Sequence, residues 1–452
     1  MKQMIQTTAL GLTLMASSAL AAVPAERAAQ LGHSLTPLGA EQAGNADGSI
    51  PAWSGGLAKT SGERNADGFL DDPYADEQPL FTIDAQNVAQ YREKLSAGQL
   101  AMLQRYPKTY RLPIYPSHRS VALPESVYRA AQQNALNTQL IGNGNGLSHF
   151  ETAYPFPIAQ NGQEVIWNHI TRYRGGSMRR TSVQATPQHD GTFTPIYFHQ
   201  QFSYRDQLSD FDPAKPDNIL FYFKERVSSP ARLAGNVVLV HETLNQVEEP
   251  RKAWLYNAGQ RRVRRAPQVA YDGPYPGSEG LRVADNFDMF NGALDRYDWQ
   301  LIGKRELFIP YNSFKLDSPK LNYRDIVQAG HLNPDFTRYE LHRVWVVEAK
   351  LKPGERHVYA KRTFYLDEDS WQIVLAEHYD SRGILWRAAE GHLQPYYDVQ
   401  VPWLAVETTH DLINGRYIVS GMKNEEKRPV EFGIRSLAAD YTPTALRNAG
   451  VR

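Results

Sequence analysis

Three groups of residues in this chain have the types that chemistry asks for, and each fails on spacing or setting. His241-Glu242 opens like the metalloprotease helix His-Glu-x-x-His, but Asn245 stands where the second histidine belongs. Asp367, Glu368 and Asp369 form an acidic trio, and paired carboxylates can hydrolyse glycosides. Here they fall between two strand-like runs just before Trp371, which reads as a turn. Asn45-Ala46-Asp47-Gly48 recurs as Asn65-Ala66-Asp67-Gly68 and resembles the middle of a calcium loop. The bidentate acid due at its twelfth position would fall on Ser54 or Tyr74, so ordinary Asx turns are expected instead. The thirteen histidines are scattered, and there is no Gly-x-Ser-x-Gly elbow, Walker loop or dinucleotide glycine motif. The residues therefore name no catalytic group, no metal site and no cofactor, and the reading is non-enzymatic.

What positions residues in this chain is a large sheet, and residues 251–266 show its character. Trp254 and Tyr256 share one face and Ala253 and Leu255 the other, so an aromatic surface backs onto an aliphatic one. Asn257-Ala258-Gly259 supplies a turn, and a return strand carries Arg261, Arg262, Arg264 and Arg265 around Val263. Those arginines read as a charged sheet edge or as a contact for head groups or an acidic partner.

Lys2, the apolar run Ile5 to Leu14 and the small-x-small Ala19-Leu20-Ala21 describe a signal peptide over residues 1–21, cut after Ala21. Export to a periplasm is the address expected. There is no cysteine, hence no disulfide and no lipoprotein anchor. No later segment has the roughly 20 apolar residues of a membrane-spanning helix. Forty-nine basic residues balance forty-nine acidic ones, which argues against nucleic acid as a partner.

Residues 22–80 are rich in Gly, Pro, Asp and Asn and read as an irregular arm. Residues 81–140 carry a helical cap. Asp84 caps a helix through Val88 and Tyr91 to Leu95, Ser96 caps one through Leu100 and Leu103, and Pro124 opens one through Val127 to about Leu140. From 141 to 452 the period becomes two, and 81–452 should fold as one unit. Strands are expected at 163–174, 178–186, 191–204, 219–227, 235–245, 251–257, 261–266, 297–309, 338–351, 356–367, 371–380, 384–398 and 403–420. The short turns between them imply an antiparallel meander. The continuous apolar runs at 237–240, 344–347 and 373–376 imply strands covered on both faces. The expected architecture is mainly β: a large, strongly curved antiparallel sheet under short N-terminal helices, enclosing an apolar cavity.

Several motifs bear a resemblance. Pro37-Leu38-Gly39-Ala40-Glu41, Asn45-Ala46-Asp47-Gly48-Ser49-Ile50-Pro51-Ala52-Trp53, Trp167-Asn168-His169, Trp254-Leu255-Tyr256 and Asp367-Glu368-Asp369-Ser370-Trp371 occur in order. Together they resemble the bacterial family called domain of unknown function 1329. The resemblance implies a fold similar to the periplasmic lipoprotein carrier of the Lol pathway, an open half-barrel closed by helices. It also implies work beside a resistance-nodulation-division exporter and an outer-membrane protein, and it supplies no catalytic residues. The resulting expectation is a periplasmic carrier of a lipid or other hydrophobic molecule, with Trp167, Trp254, Tyr256, Trp299, Trp345 and Trp386 lining or gating the cavity. Two alternatives stay open: a scaffolding protein with no internal ligand, and an enzyme acting on lipid or polysaccharide.

Overall fold

The computed structural model describes residues 23–450 apart from 216, 247, 267, 268 and 270. The expected signal segment lies outside them. The arm holds one short helix, α1 (Ala25–Ala28). The cap region follows with β1 (Phe81–Ile83), α2 (Ala97–Arg105), β2 (Leu112–Ile114) and α3 (Glu125–Asn137). Next come a small hairpin, β3 (Gln139–Ile141) and β4 (Gly146–Ser148), and the helix α4 (Gly162–Thr171). A first meander runs through β5 (Ser177–Ala185), β6 (Ile196–Tyr204), β7 (Ile219–Ser229), β8 (Val237–Thr243), β9 (Lys252–Asn257) and β10 (Arg262–Arg265). A second begins with β11 (Tyr297–Pro310), then the short α5 (Tyr323–Ile326), β12 (Tyr339–Leu351) and β13 (Lys361–Asp367). It continues with β14 (Ile373–Tyr379), β15 (Leu385–Tyr396), β16 (Val401–Asp411) and β17 (Tyr417–Met422). The chain closes with β18 (Val430–Phe432) and α6 (Pro443–Gly450).

The two meanders, together with β1, β2 and β18, make one open sheet of sixteen strands. β17 pairs antiparallel with β5, so the last strand of the second meander joins the first strand of the first. The pairing is antiparallel throughout except where β2 meets β12 at Ile114 and Tyr339. β10, β11 and the short β1 lie at the edges of the sheet. β10 is blunted by exposed Arg262, Arg264 and Arg265, and β11 by a bulge between Leu301 and Gly303 followed by Lys304 and Arg305. Charge and irregularity of this kind keep an edge from templating further strands.

Local chemistry explains the helices. Ser96 accepts from the Gln99 backbone while the Gln99 side chain accepts from the Ser96 backbone, a capping box that starts α2. Asp84 instead accepts from the Gln86 and Asn87 backbones in a turn, and the residues after it form a 3-10 helix over Val88–Lys94. α3 begins after Pro124 as expected and stops at Asn137, where the hairpin takes over.

The strand expected at 163–174 is a helix. Val165, Ile166, Trp167 and Ile170 are all fully buried, and so are Asn168 and His169 on the other side of α4. An apolar segment with no solvent face has neither helical nor strand periodicity to read, and its β-branched residues tip the reading toward a strand. The signal for a helix was the cap: the Asn161 side chain accepts from the Glu164 backbone, and Glu164 reaches back to the Asn161 amide. The strand expected at 356–367 is shortened to β13, because His357 and Tyr359 leave the sheet to pack on buried polar groups.

Both faces of the sheet are covered where the apolar runs lie: Ile373 to Ala376 are all 2% exposed or less. α2 covers one face, with the Gly98 amide on Glu377 and Tyr110 and Tyr339 hydroxyls on Glu390. Burial pushes the Glu390 carboxyl up to about 7, against the lowering effect of those hydroxyls. It is thus protonated in the folded chain and ionised in the unfolded one between about pH 4.5 and 7, so its contribution to stability falls as pH rises through that window. Glu390→Gln, which mimics the protonated acid, is expected to raise stability at pH 8 by about 2 kcal/mol and leave it nearly unchanged at pH 5, measured by urea unfolding.

Candidate functional site

The opposite face carries the candidate site. Between β10 at one edge and β11 at another the chain crosses the sheet, and the described residues 271–296 do so over its inner face, between the strands and α4. Among its described residues this segment forms no strand ladder with the sheet. Side chains tie it down instead. Asp288 binds Arg172 and Arg174, with Arg174 Nη2 and Nε at 2.7 and 3.0 Å. Asp285 takes the Arg362 guanidinium in a two-pronged pair of 2.7 and 2.9 Å and His357 at 3.0 Å. Burial pushes both carboxyls up, and the neighbouring arginines more than offset it, holding both well below the usual carboxylate range. Asn286 faces His378, and Tyr275 donates to Glu225.

These contacts correct the expected empty hollow. The interior of the bent sheet is occupied by α4 and the crossing segment, and α2 packs on the other face, where Phe81, Tyr91 and Ile114 of the cap region border a separate pocket against Phe308 and Leu341. On the inner face the described residues leave a cavity of about 110 Å³ between β7, β8, β9 and the crossing segment. Its walls are apolar, with Phe223, Val238, Val240 and Leu255 from the sheet facing Pro274 and Phe287 from the segment. Its charged members are already partnered within the protein. Glu225 holds Gln200 and Tyr275, and Arg251 pairs with Glu242 at 2.5 Å while donating to the Asn291 carbonyl. No uncompensated nucleophile or base faces the space, and the arrangement suits an apolar group.

The six aromatic candidates are dispersed, and none lines this cavity. Trp167 is fully buried on α4 and donates to the Gly144 carbonyl. Trp254 and Tyr256 point to the other face of β9, where α6, Leu239 and Tyr441 cover them, while Leu255 supplies the cavity wall. Trp299 stacks on Phe364 and meets Phe290, the apolar end of the crossing segment. Trp345 stacks on Trp371 at 5.8 Å beneath the Lys304 ammonium, and Trp386 donates to Asp411 under the Arg387 guanidinium. Arg261, Arg262, Arg264 and Arg265 are exposed at the β10 edge, with Arg265 over the Trp254 ring. Phe223, Val240 and Phe287 went unnoticed because aliphatic and Phe positions in a covered sheet look the same whether they meet a side chain or a space.

Asp367, Glu368 and Asp369 do form a turn, between β13 and β14, but a fully buried one. Glu368 meets Lys304, Arg343 and Arg119, and Asp369 is held at 2.7 Å by Arg119. Arg119 also donates to the Glu41 carbonyl, and the Trp371 indole to the Leu38 carbonyl, so this turn fastens the N-terminal arm to the sheet.

The family model described as "Protein of unknown function (DUF1329)" matches residues 82–447. The chain belongs to the DUF1329 family. A Pseudomonas aeruginosa protein named "Uncharacterized protein PA3922" is 64% identical over 451 residues, covering all of this chain and 99% of its own. Among solved structures, a Vibrio parahaemolyticus domain named for outer-membrane lipoprotein sorting is similar over 63% of this chain and 98% of its own, at 15% identity and TM-score 0.44. A DUF1329 protein from Desulfovibrio piger covers 60% of this chain and 92% of its own, at 14% identity and TM-score 0.41. Neither likeness transfers a ligand. Among the described residues of this DUF1329 chain, no helix is long and apolar enough to cross a membrane.

Proposed function

We propose that this DUF1329 protein is a non-enzymatic carrier that shelters a hydrophobic molecule, such as a lipid, in the periplasm between an inner-membrane exporter and an outer-membrane partner. The observation that supports it is the apolar cavity of about 110 Å³ walled by β7–β9 and the crossing segment. Apolar spaces of this order bind guests: one of ~150 Å³ takes up benzene. As it stands the cavity accepts a ring or a chain end. A whole acyl chain needs more room, and the crossing segment is the wall that moves, because it is tied by side-chain ion pairs rather than by strand pairing. Displacing it uncovers the apolar inner faces of β7, β8 and β9, whose burial by a guest contributes about 25 cal/mol per Å². The exposed arginines of β10 border the same strands and suit an anionic head group or partner.

Mass spectrometry of organic extracts from gently purified protein is expected to show reproducible lipid. Uptake of a fluorescent dansyl fatty acid should fall at least tenfold in Val240→Trp, which fills the cavity at a stability cost of about 1–3 kcal/mol. Wild-type protein that yields no lipid and takes up no probe, yet co-purifies with a membrane partner, sinks the carrier in favour of the scaffold.

A further inference from the structure

We infer that His342, Asp367 and Asp369 form a binding site for a divalent transition-metal ion of the zinc or manganese kind. The inference is independent of the carrier reading. Backbone register brings the three together. Val344 pairs with Asp367 in the β12–β13 ladder, so His342, two residues from Val344, projects on the same face just beyond the strand end, where the turn returns Asp369. One donor atom from each of the three lies within 4.8 Å of the others, and all three side chains are buried.

The surroundings are those a metal ligand set requires. His342 Nε2 lies 3.1 Å from Glu340 Oε2. Glu340 also accepts from Arg338, Asn312 and the His118 backbone, so it is an acceptor there and Nε2 carries the proton. The Nδ1 lone pair is left as the ring's donor to an ion, and a carboxylate behind a ligating imidazole is the usual means of orienting it. Asp367 Oδ2 accepts from the Ser370 backbone and hydroxyl, whereas Oδ1 has no hydrogen-bond partner among the described residues. Every other carboxylate of the cluster has an arginine or lysine: Asp369 and Glu368 share Arg119, Glu368 adds Lys304 and Arg343, and Glu340 has Arg338. Asp367 is the one left without a cation among the described residues.

A second observation comes from the facing loop. The Tyr311 ring stacks on His342 at 4.0 Å, and its fully buried hydroxyl has no partner among the described residues. Asp367 and Asp369 are the charged groups that hydroxyl feels most strongly. His342, Asp367 and Asp369 bring one ring nitrogen and two carboxylates together, and a cation satisfies the Asp367 oxygen that lacks a partner among the described residues. One nitrogen and two carboxylates without sulfur suit zinc or manganese better than calcium, which prefers all-oxygen ligands. Three protein ligands leave a fourth position that the Tyr311 hydroxyl or a water can fill. Because Asp369 holds Arg119 and Arg119 holds the arm, the ion would staple the arm to β12 and β13.

The test uses the full mature chain, stripped with EDTA and titrated separately with Zn²⁺ and Mn²⁺. One ion per chain is expected to survive dialysis, to raise the thermal midpoint, and to bind at least a hundredfold more weakly in Asp367→Asn and His342→Gln. X-ray absorption of the loaded wild type should show a single imidazole among oxygen ligands, a readout that does not depend on either variant folding. Failure of the wild type to retain either ion overturns the site. So does a coordination sphere of two or more imidazoles, or affinity unchanged in folded variants.

Discussion

Asp288→Ala is expected to destabilise the protein by about 3–5 kcal/mol, because it strands two buried guanidiniums, Arg172 and Arg174, without a counter-charge. Both arginines and the aspartate are 4% exposed or less, so water cannot take over. Against a typical total of about 5–15 kcal/mol, this is a large fraction of what holds a domain together. Asp288→Asn should cost nearly as much, since it keeps the shape and still removes the charge. The measurement is urea unfolding at pH 7 for both variants. A shift of less than about 1 kcal/mol in each would show that the crossing segment is held by packing and that the ion pairs are incidental. The same variants should take up the dansyl fatty acid faster if the segment is the moving wall.

Acid should weaken the fold through its interior histidines. Burial drives His392 down to about 3, and burial with nearby His331 drives His410 down to about 3. Their folded values lie below the unfolded value near 6.5, so as pH falls through 6.5 the unfolded chain binds protons first, and stability is lost from there down to pH 3. Between pH 7 and 5 each should cost about 2 kcal/mol. Glu390, 3.6 Å from His392, gives no relief as a counter-ion, because burial keeps it protonated in this range. Its own proton uptake stabilises the fold on acidification by about 2 kcal/mol and offsets half of the loss. His392→Leu combined with His410→Leu should therefore shrink the stability lost between pH 7 and pH 5 by about 4 kcal/mol. A wild-type slope that survives both substitutions would place the acid sensitivity elsewhere, His169 and His378 being the next groups to replace.

The elements that could be read in advance are those whose determinants are local. Ser96 with Gln99, Pro124 before α3, and the short turns between the expected strands act within four residues, and they delimit α2, α3 and the hairpins. The apolar runs at 237–240, 344–347 and 373–376 likewise announced strands covered on both sides, which follows from composition alone. Long-range partnerships left no such trace. Arg172 and Arg174 meet Asp288 across 116 and 114 residues, and Arg362 meets Asp285 across 77. Each of these charges looked like ordinary surface. Without those pairs nothing reveals that 271–296 lies inside the sheet, and an interior assumed to be empty invites large aromatic residues as its lining. For Trp254 and Tyr256 alternation separated the two faces correctly but could not say which face α6 would cover, a choice made by residues almost two hundred positions away. The acid trio was read as a turn, which it is, while its burial depends on Arg119 and Lys304 arriving from elsewhere.

The seam between β5 and β17 carries a kinetic consequence. Residues 177–185 wait for residues 417–422 before the two meanders become one sheet, and the stretch between them holds most of the remaining strands. Pairings so distant along the chain are slow to form, because loop closure must be met before the contacts reward it. A nascent polypeptide of this design passes through a stage in which β5 and β17 are both unpaired and prone to self-association. Holdase chaperones that delay collapse until the late strands have emerged should therefore govern how much of it reaches the native state.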